Sequence, residues 1–152
     1  MHLTLAFIGE VPTPTVEAAR DAVASAAAQI APFRALLGRA GAFPNERRPR
    51  VLWVGLGAGA EEVAAAAERV RAALAVRRVR YEEAPAIAHI TIGRVRERAG
   101  PEEREAVAGA FQSLRDAVPA LAFDITALHL MRSVLSPKGP TYTSLAGAPL
   151  GG

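Results

Sequence analysis

The sequence contains no cysteine, almost no lysine and few aromatic residues. Of its 152 residues none is Cys, Lys138 is the only lysine among 18 basic residues, and aromatic residues make up 5%. Without cysteine the chain forms neither disulfides nor thiolate metal sites, which suits a reducing compartment, so we expect a cytoplasmic protein. It also lacks any run of eighteen apolar residues and the charged and apolar pattern of a signal peptide, so we expect no membrane partner.

The charge of the chain is almost entirely carried by arginine and glutamate or aspartate. The formal net charge is +3, which permits an anionic partner but does not by itself predict one. Hydrophobic residues account for 51% of the chain, enough for a packed core at this length. We therefore expect a single folded domain.

Hydrophobic periodicity and turn residues predict nine secondary-structure elements in the order β-α-β-β-α-β-α-β-β. Adjacent strands in this order favour antiparallel pairing, which indicates an α+β fold. Thr13 or Thr15 is expected to cap the first helix. The predicted strands cover residues 2–8, 33–42, 51–56, 88–95, 121–130 and 141–145, and the predicted helices cover about 15–30, 61–74 and 101–117.

A His-x-Thr motif occurs twice, in HLTLAFIG at the start of the chain and in HITIGRV at 89–95. Because side chains alternate along a strand, His2 and Thr4 are expected on one face, as are His89 and Thr91. The small residues Ala6 and Gly93 would follow on that polar side and leave room for a ligand. The opposite faces are expected to be buried: Leu3, Leu5 and Phe7 in the first motif, and Ile90 and Ile92 in the second.

Two imidazoles and two hydroxyls around one site suit phosphoryl chemistry. A neutral imidazole can take a proton from the attacking group, an imidazolium can protonate the leaving oxygen, and hydroxyls can donate to phosphate oxygens. No metal is needed for this. An alternative is a zinc site with His129 as a third ligand, although His129 also fits an ordinary sheet position. Trp53 could stack on a base, or it could belong to the core.

These two motifs resemble the signature blocks of the two-histidine phosphoesterase superfamily, specifically the RNA 2′,3′-cyclic phosphodiesterases, also described as 2′-5′ RNA ligases. The stretch LHLMRSVLSPKGPTYTSL extends the resemblance to about residue 150. It implies one bilobal domain over residues 1–152, with two antiparallel sheets flanked by helices around a cleft and a pseudo-two-fold relation. Family members usually carry a further strand and helix before the first motif, so we expect this chain to lack them.

The resemblance implies metal-independent hydrolysis of RNA 2′,3′-cyclic phosphate ends to 2′-phosphates, without a cofactor and with reversible 2′-5′ ligation in some members. His2 and His89 would be the catalytic acid and base, and Thr4 and Thr91 would bind the phosphate. Arg94 and Arg132 are candidates for substrate binding. Strand alternation points Arg94 away from His89 and Thr91, and the Arg47, Arg48 and Arg50 loop could steer RNA or simply be solvated.

The expected partner is RNA with a 2′,3′-cyclic phosphate or 2′-phosphate end. Alternative functions are a phosphodiesterase for small cyclic nucleotides or 2′-5′ oligonucleotides, and a non-catalytic RNA-binding module. A basic rim would favour RNA over a small substrate. We expect a monomer, with association through an edge left by the missing N-terminal segment as the alternative.

Overall fold

The computed structural model describes residues 2–82, 87–96, 98–136 and 139–151. The α+β class and its antiparallel sheets are confirmed, and within the described residues no helix combines the length and apolar character needed to cross a membrane. The elements are α1 (Thr13–Ala27), β1 (Phe33–Phe43), β2 (Val51–Leu56), α2 (Ala60–Val76), β3 (His89–Arg94), α3 (Pro101–Leu114), β4 (Ala122–Ile125), β5 (Ala127–Ser136) and β6 (Gly139–Pro149).

The strand predicted at residues 2–8 is not formed. Residues 2–9 have no regular secondary structure, although the Glu82 N–H donates to the Phe7 carbonyl at 2.8 Å. A strand needs a partner along its length, and an apolar pattern alone does not supply one. The elements therefore begin with α1, not with a strand.

Helix α1 starts earlier than predicted. Its N-cap is Pro12, with no hydrogen bond from a capping side chain, so neither Thr13 nor Thr15 is the cap. Pro14 lies in the first turn, where the missing N–H costs nothing because that group has no partner within the helix. Five further elements are confirmed, with each end within three residues of its predicted position: β1, β2, α2, β3 and α3.

The long strand predicted at 121–130 is divided between two sheets. β4 ends at Ile125 and belongs to a four-stranded sheet of order β3-β2-β1-β4, whereas β5 begins at Ala127 and pairs with β6. β6 is more than twice as long as predicted, since it stays paired with β5 from Ser136↔Gly139 to Ala127↔Pro149. A regular alternation of side chains does not reveal where a strand changes partners.

The chain divides into two compact units. Unit 1 comprises residues 1–4, 34–61 and 87–123 and contains most of the four-stranded sheet together with α3. β2 is antiparallel to both β1 and β3. The buried apolar residues of unit 1 are Ala35, Ala42, Val54, Ile90, Ala99, Ala108 and Phe111.

Unit 2 comprises residues 5–33, 62–86 and 124–152 and contains α1, most of α2 and the β5–β6 ribbon. Helix α1 packs against both strands of the ribbon. The buried side of α1 is mostly alanine, and such small residues allow this close approach. The core also includes Val70 and Leu74 from α2, and Leu128 from β5.

Candidate active site

The first His-x-Thr motif lies at the start of the chain, in unit 1, the unit that also contains β3. His2 and Thr4 are exposed and Leu3 between them is half-buried, so these three residues alternate as predicted. Unit 1 therefore contains all four side chains of the two motifs.

The alternation does not continue beyond Leu5. Phe7, predicted to be buried, is 52% exposed, while Ala6, predicted on the polar side, packs with Leu5 and Ile8 against the core of unit 2. Strict alternation is a property of an extended strand, and this segment is not one. The expectation that Ala6 leaves room for a ligand is therefore wrong.

The second motif lies on β3, and its pairing with β2 contains a bulge. Thr91 is opposite Trp53 and His89 is opposite Gly55, but Gly93 is opposite Leu52. Two steps on β3 thus correspond to one step on β2, and Ile92 is the extra residue. A bulge of this kind shifts the alternation of the residues that follow it by one position.

The bulge reverses the predicted orientation of Arg94. Arg94 is opposite Val51, and Val51 lies on the same face of β2 as Trp53, the partner of Thr91. Arg94 therefore shares a face with His89 and Thr91, and the prediction that it points away from them is wrong. By the same argument Gly93 lies on the opposite face, so it does not provide space beside Thr91.

Ile92 shows the other consequence of the bulge. It was predicted to be buried with Ile90, but it is 58% exposed whereas Ile90 is 4% exposed. As the extra residue Ile92 has no cross-strand partner on β2, and its side chain is left outside the core.

The imidazole of His89 is held by a hydrogen bond to the backbone. Its Nδ1 lies 2.7 Å from the Ile87 carbonyl oxygen. Because a carbonyl only accepts, Nδ1 carries the proton. In the neutral imidazole Nε2 is then the unprotonated nitrogen. His89 thus offers a lone pair at Nε2, as a general base requires.

Two aromatic rings flank the imidazole of His89. The Phe43 ring lies edge-on at 5.2 Å between centroids, and the indole of Trp53 is tilted at 6.0 Å. Phe43 and Trp53 are themselves 5.3 Å apart. Trp53 is half-buried, and its Nε1 is buried without a hydrogen-bond partner within the described residues, so the indole packs beside His89 and Phe43.

Gly41 leaves the space that the Trp53 indole occupies. It is the cross-strand partner of Trp53, and a Cβ added at Gly41 would lie 2.1 Å from the nearest indole carbon. Neither Gly41 nor Phe43 was predicted from the sequence to belong to the site. A glycine inside an apolar strand is a signal for such a close approach, but it does not say what approaches.

Arg132 and His129 lie on opposite faces of β5 in unit 2. Arg132 follows Leu128 and Leu130 on the face that packs on the core of unit 2, but Arg132 itself is exposed. His129 is on the other face, and its Nδ1 is 3.3 Å from the Ser144 hydroxyl. Among the described residues, no group of three or more His, Cys, Asp or Glu could hold a metal ion, so the alternative of a zinc site with His129 is not formed there.

The sequence that contains both motifs matches a known family. A profile described as the 2′-5′ RNA ligase superfamily matches residues 1–136. The chain belongs to this superfamily. A relative named RNA 2′,3′-cyclic phosphodiesterase, from Aeropyrum pernix, is 32% identical over 144 residues, which are 95% of this chain and 78% of the relative. A relative of the same name from Thermus thermophilus is 34% identical over 150 residues, covering 95% of this chain and 69% of the relative.

Solved structures share the fold of this chain. The crystal structure of TT0787 of Thermus thermophilus superposes with a TM-score of 0.75 at 32% identity, covering 99% of this chain and 78% of that one. Escherichia coli LigT, solved in complex with 3′-AMP, superposes with a TM-score of 0.66 at 24% identity, covering 98% of this chain and 76% of that one. The likeness to LigT is a likeness of fold.

Proposed function

We propose that this protein hydrolyses RNA 2′,3′-cyclic phosphate ends to 2′-phosphates, with His89 as general base and His2 as general acid. The observation that carries the proposal is the 2.7 Å hydrogen bond from His89 Nδ1 to the Ile87 carbonyl. This bond leaves Nε2 as the proton acceptor. The names of the superfamily relatives supply the reaction class.

In the proposed reaction His89 Nε2 takes a proton from water, and the water oxygen attacks phosphorus. The bond between phosphorus and the 3′ oxygen breaks, and His2 gives its proton to that oxygen. The products are a 2′-phosphate and a 3′-hydroxyl, and proton exchange with solvent restores both imidazoles. In the reaction of two RNA ends, the 5′-hydroxyl of a second strand would replace water and form a 2′-5′ linkage.

The threonines and Arg94 would bind the phosphate. The Thr4 and Thr91 hydroxyls can donate to the non-bridging oxygens as negative charge builds on them. Arg94 supports this assignment because the bulge places it on the face of His89 and Thr91, where a guanidinium can neutralise phosphate with two parallel hydrogen bonds. Arg132 as a second substrate-binding arginine, a monomeric state and a cytoplasmic location stay predictions.

The test is an assay on an RNA oligonucleotide that ends in a 2′,3′-cyclic phosphate, in the presence of EDTA. Wild type should form the 2′-phosphate, and His2→Ala and His89→Ala should each lower kcat by about 10² to 10⁴-fold, because each removes one proton-transfer group. The matched control is His129→Ala, which removes the remaining histidine and should leave turnover close to wild type.

Two outcomes would contradict the mechanism. Retention of most of the activity in His89→Ala would exclude His89 as the base, and loss of activity in EDTA that Zn²⁺ restores would indicate a metal-dependent reaction. Turnover of 2′,3′-cyclic mononucleotides without turnover of RNA would favour the alternative of a small-molecule phosphodiesterase. Salt-dependent RNA binding that survives both substitutions, without turnover, would favour the non-catalytic binding module.

A further inference from the structure

Two arginine-bearing segments adjoin at one end of the sheet in unit 1. They are distant in sequence: one is the β1–β2 turn, and the other is the end of β3 with the residues that follow it. Together they carry six arginines. The Val95 N–H donates to the Arg50 carbonyl at 2.9 Å, and Val51 is paired with Arg94, so the two segments lie side by side. We name this set the arginine end; its members are Arg47, Arg48, Arg50, Arg94, Arg96 and Arg98.

The arginine end carries an excess of positive charge. The two segments, 45–50 and 94–98, contain six arginines against two glutamates, a formal net charge of +4, compared with +3 for the entire chain. Glu46 is paired with Arg115 at 2.6 Å, and this hydrogen bond raises the pKa of Arg115. All six arginines are exposed, and none forms an ion pair with a carboxylate within the part of the chain that the structure describes.

The backbone that carries three of these arginines is held in place. The Asn45 side-chain oxygen accepts from the N–H groups of Arg47 and Arg48 at 3.2 and 3.0 Å, and the Arg50 N–H donates to the Phe43 carbonyl at 2.7 Å. Pro49 is fully buried. A turn anchored in this way presents its side chains without a large cost of ordering the backbone on binding.

The arginine end is continuous with the candidate active site. Arg94 belongs to both, because it lies on the face of His89 and Thr91 and its cross-strand partner, Val51, directly follows Arg50 in the sequence. The partners of Arg94 and His89 on β2 are Val51 and Gly55. These partners are four residues apart, which corresponds to about 13 Å along the strand. A mononucleotide held at His89 has one phosphate and would leave the arginines beyond Arg94 without a ligand.

We infer that the arginine end binds the phosphate backbone of the RNA strand that leads to the cyclic phosphate, and so selects RNA chains over cyclic mononucleotides. The inference rests on the proposed function for the reaction at the strand terminus. Arginine suits this role because its planar guanidinium matches phosphate geometry and stays charged. An RNA strand carries one negative charge per nucleotide, which suits a group of arginines that adjoins the site of the cyclic phosphate.

The test compares two triple variants that remove the same charge. The first is Arg48→Ala/Arg50→Ala/Arg96→Ala, which leaves Arg94 in place. The control is Arg20→Ala/Arg69→Ala/Arg80→Ala, three exposed arginines of unit 2. Both are assayed for kcat/KM on an eight-nucleotide RNA with a 2′,3′-cyclic phosphate end and on 2′,3′-cyclic AMP, over a range of salt concentrations.

The first variant should lose at least about tenfold in kcat/KM on the oligonucleotide and stay within about twofold of wild type on the mononucleotide. Its plot of log kcat/KM against log salt should be shallower by about 2, since three contacts to a single strand each contribute about 0.7. The control variant should resemble wild type on both substrates. Equal losses in the two variants, or no loss specific to the oligonucleotide, would overturn the inference.

Direct binding separates this inference from the proposed reaction. Fluorescence anisotropy with the same oligonucleotide carrying a 3′-phosphate measures affinity without turnover. If wild type turned over neither substrate, the proposed function would fail, and binding would then decide the inference alone. Weaker, less salt-dependent binding in the first variant only would support it, and equal binding by all three proteins would refute it.

Discussion

Replacing Gly41 by alanine tests the packing that positions His89. The new Cβ would lie 2.1 and 2.3 Å from two carbons of the Trp53 indole and 2.6 Å from a third, whereas ordinary contacts of a Cβ begin at 3.4 Å. To restore van der Waals separation the ring would have to move by roughly 1 Å or more. A Cβ built at Gly55 would lie 3.3 Å from a further indole carbon, and the ring packs beside Phe43 and His89, so its neighbours must move with it.

The expected effect follows from the depth of this overlap. Overpacking a well-packed interior typically costs about 1 to 3 kcal/mol, and a deep overlap with a rigid ring argues for the upper end. At this chain length about 3 kcal/mol lowers the melting temperature by roughly 6 to 12 °C. A displacement of about 1 Å at the base His89 would lower kcat by up to about 100-fold.

The single tryptophan makes the experiment direct. Because Trp53 is the only tryptophan in the chain, its fluorescence reports the environment of its indole without interference. The emission of Gly41→Ala should shift to the red, since the displaced indole would be more exposed to water. The control is Gly57→Ala, whose Cβ would meet nothing closer than 3.7 Å. Long-range ¹⁵N NMR of the imidazole shows in both variants whether the His89 Nδ1–H tautomer is kept. Unchanged emission, melting temperature and kcat in Gly41→Ala would refute the packing argument.

Two further predictions concern the phosphate site and the core. Arg94→Ala should lower kcat/KM by about 10-fold or more on both the oligonucleotide and the cyclic mononucleotide, because it removes a charged donor to the phosphate. Arg94→Lys should restore part of the lost activity. Equal activity of Arg94→Ala and the helix control Arg69→Ala would contradict the placement of Arg94. Leu74 is 1% exposed. Leu74→Ala should therefore lower the free energy of unfolding by about 2 to 5 kcal/mol in a urea titration, with no change in the slope against denaturant; a loss below about 1 kcal/mol would mean that the core of unit 2 collapses into the space.

The sequence by itself determined the chemical identity of the candidate site and most of the elements around it. The repeated His-x-Thr motif is a local pattern, and so are the apolar run of β2 and the loop between β1 and β2. Local patterns of this kind set the propensity of a segment for helix, strand or turn. They also show which residue types are neighbours along the chain, so they can be recognised without coordinates.

Only the tertiary structure decided on which face Arg94 lies, that residues 2–9 form no strand, and that two arginine-bearing segments adjoin. Each of these depends on a partner distant in the chain: the bulge at Ile92 exists only in the pairing with β2, a strand needs a neighbouring strand, and Arg50 meets Val95 through a hydrogen bond across the sheet. Alternation predicts faces correctly only while the ladder is regular. One extra residue in β3 was enough to reverse the orientation of the arginine that we now assign to the phosphate.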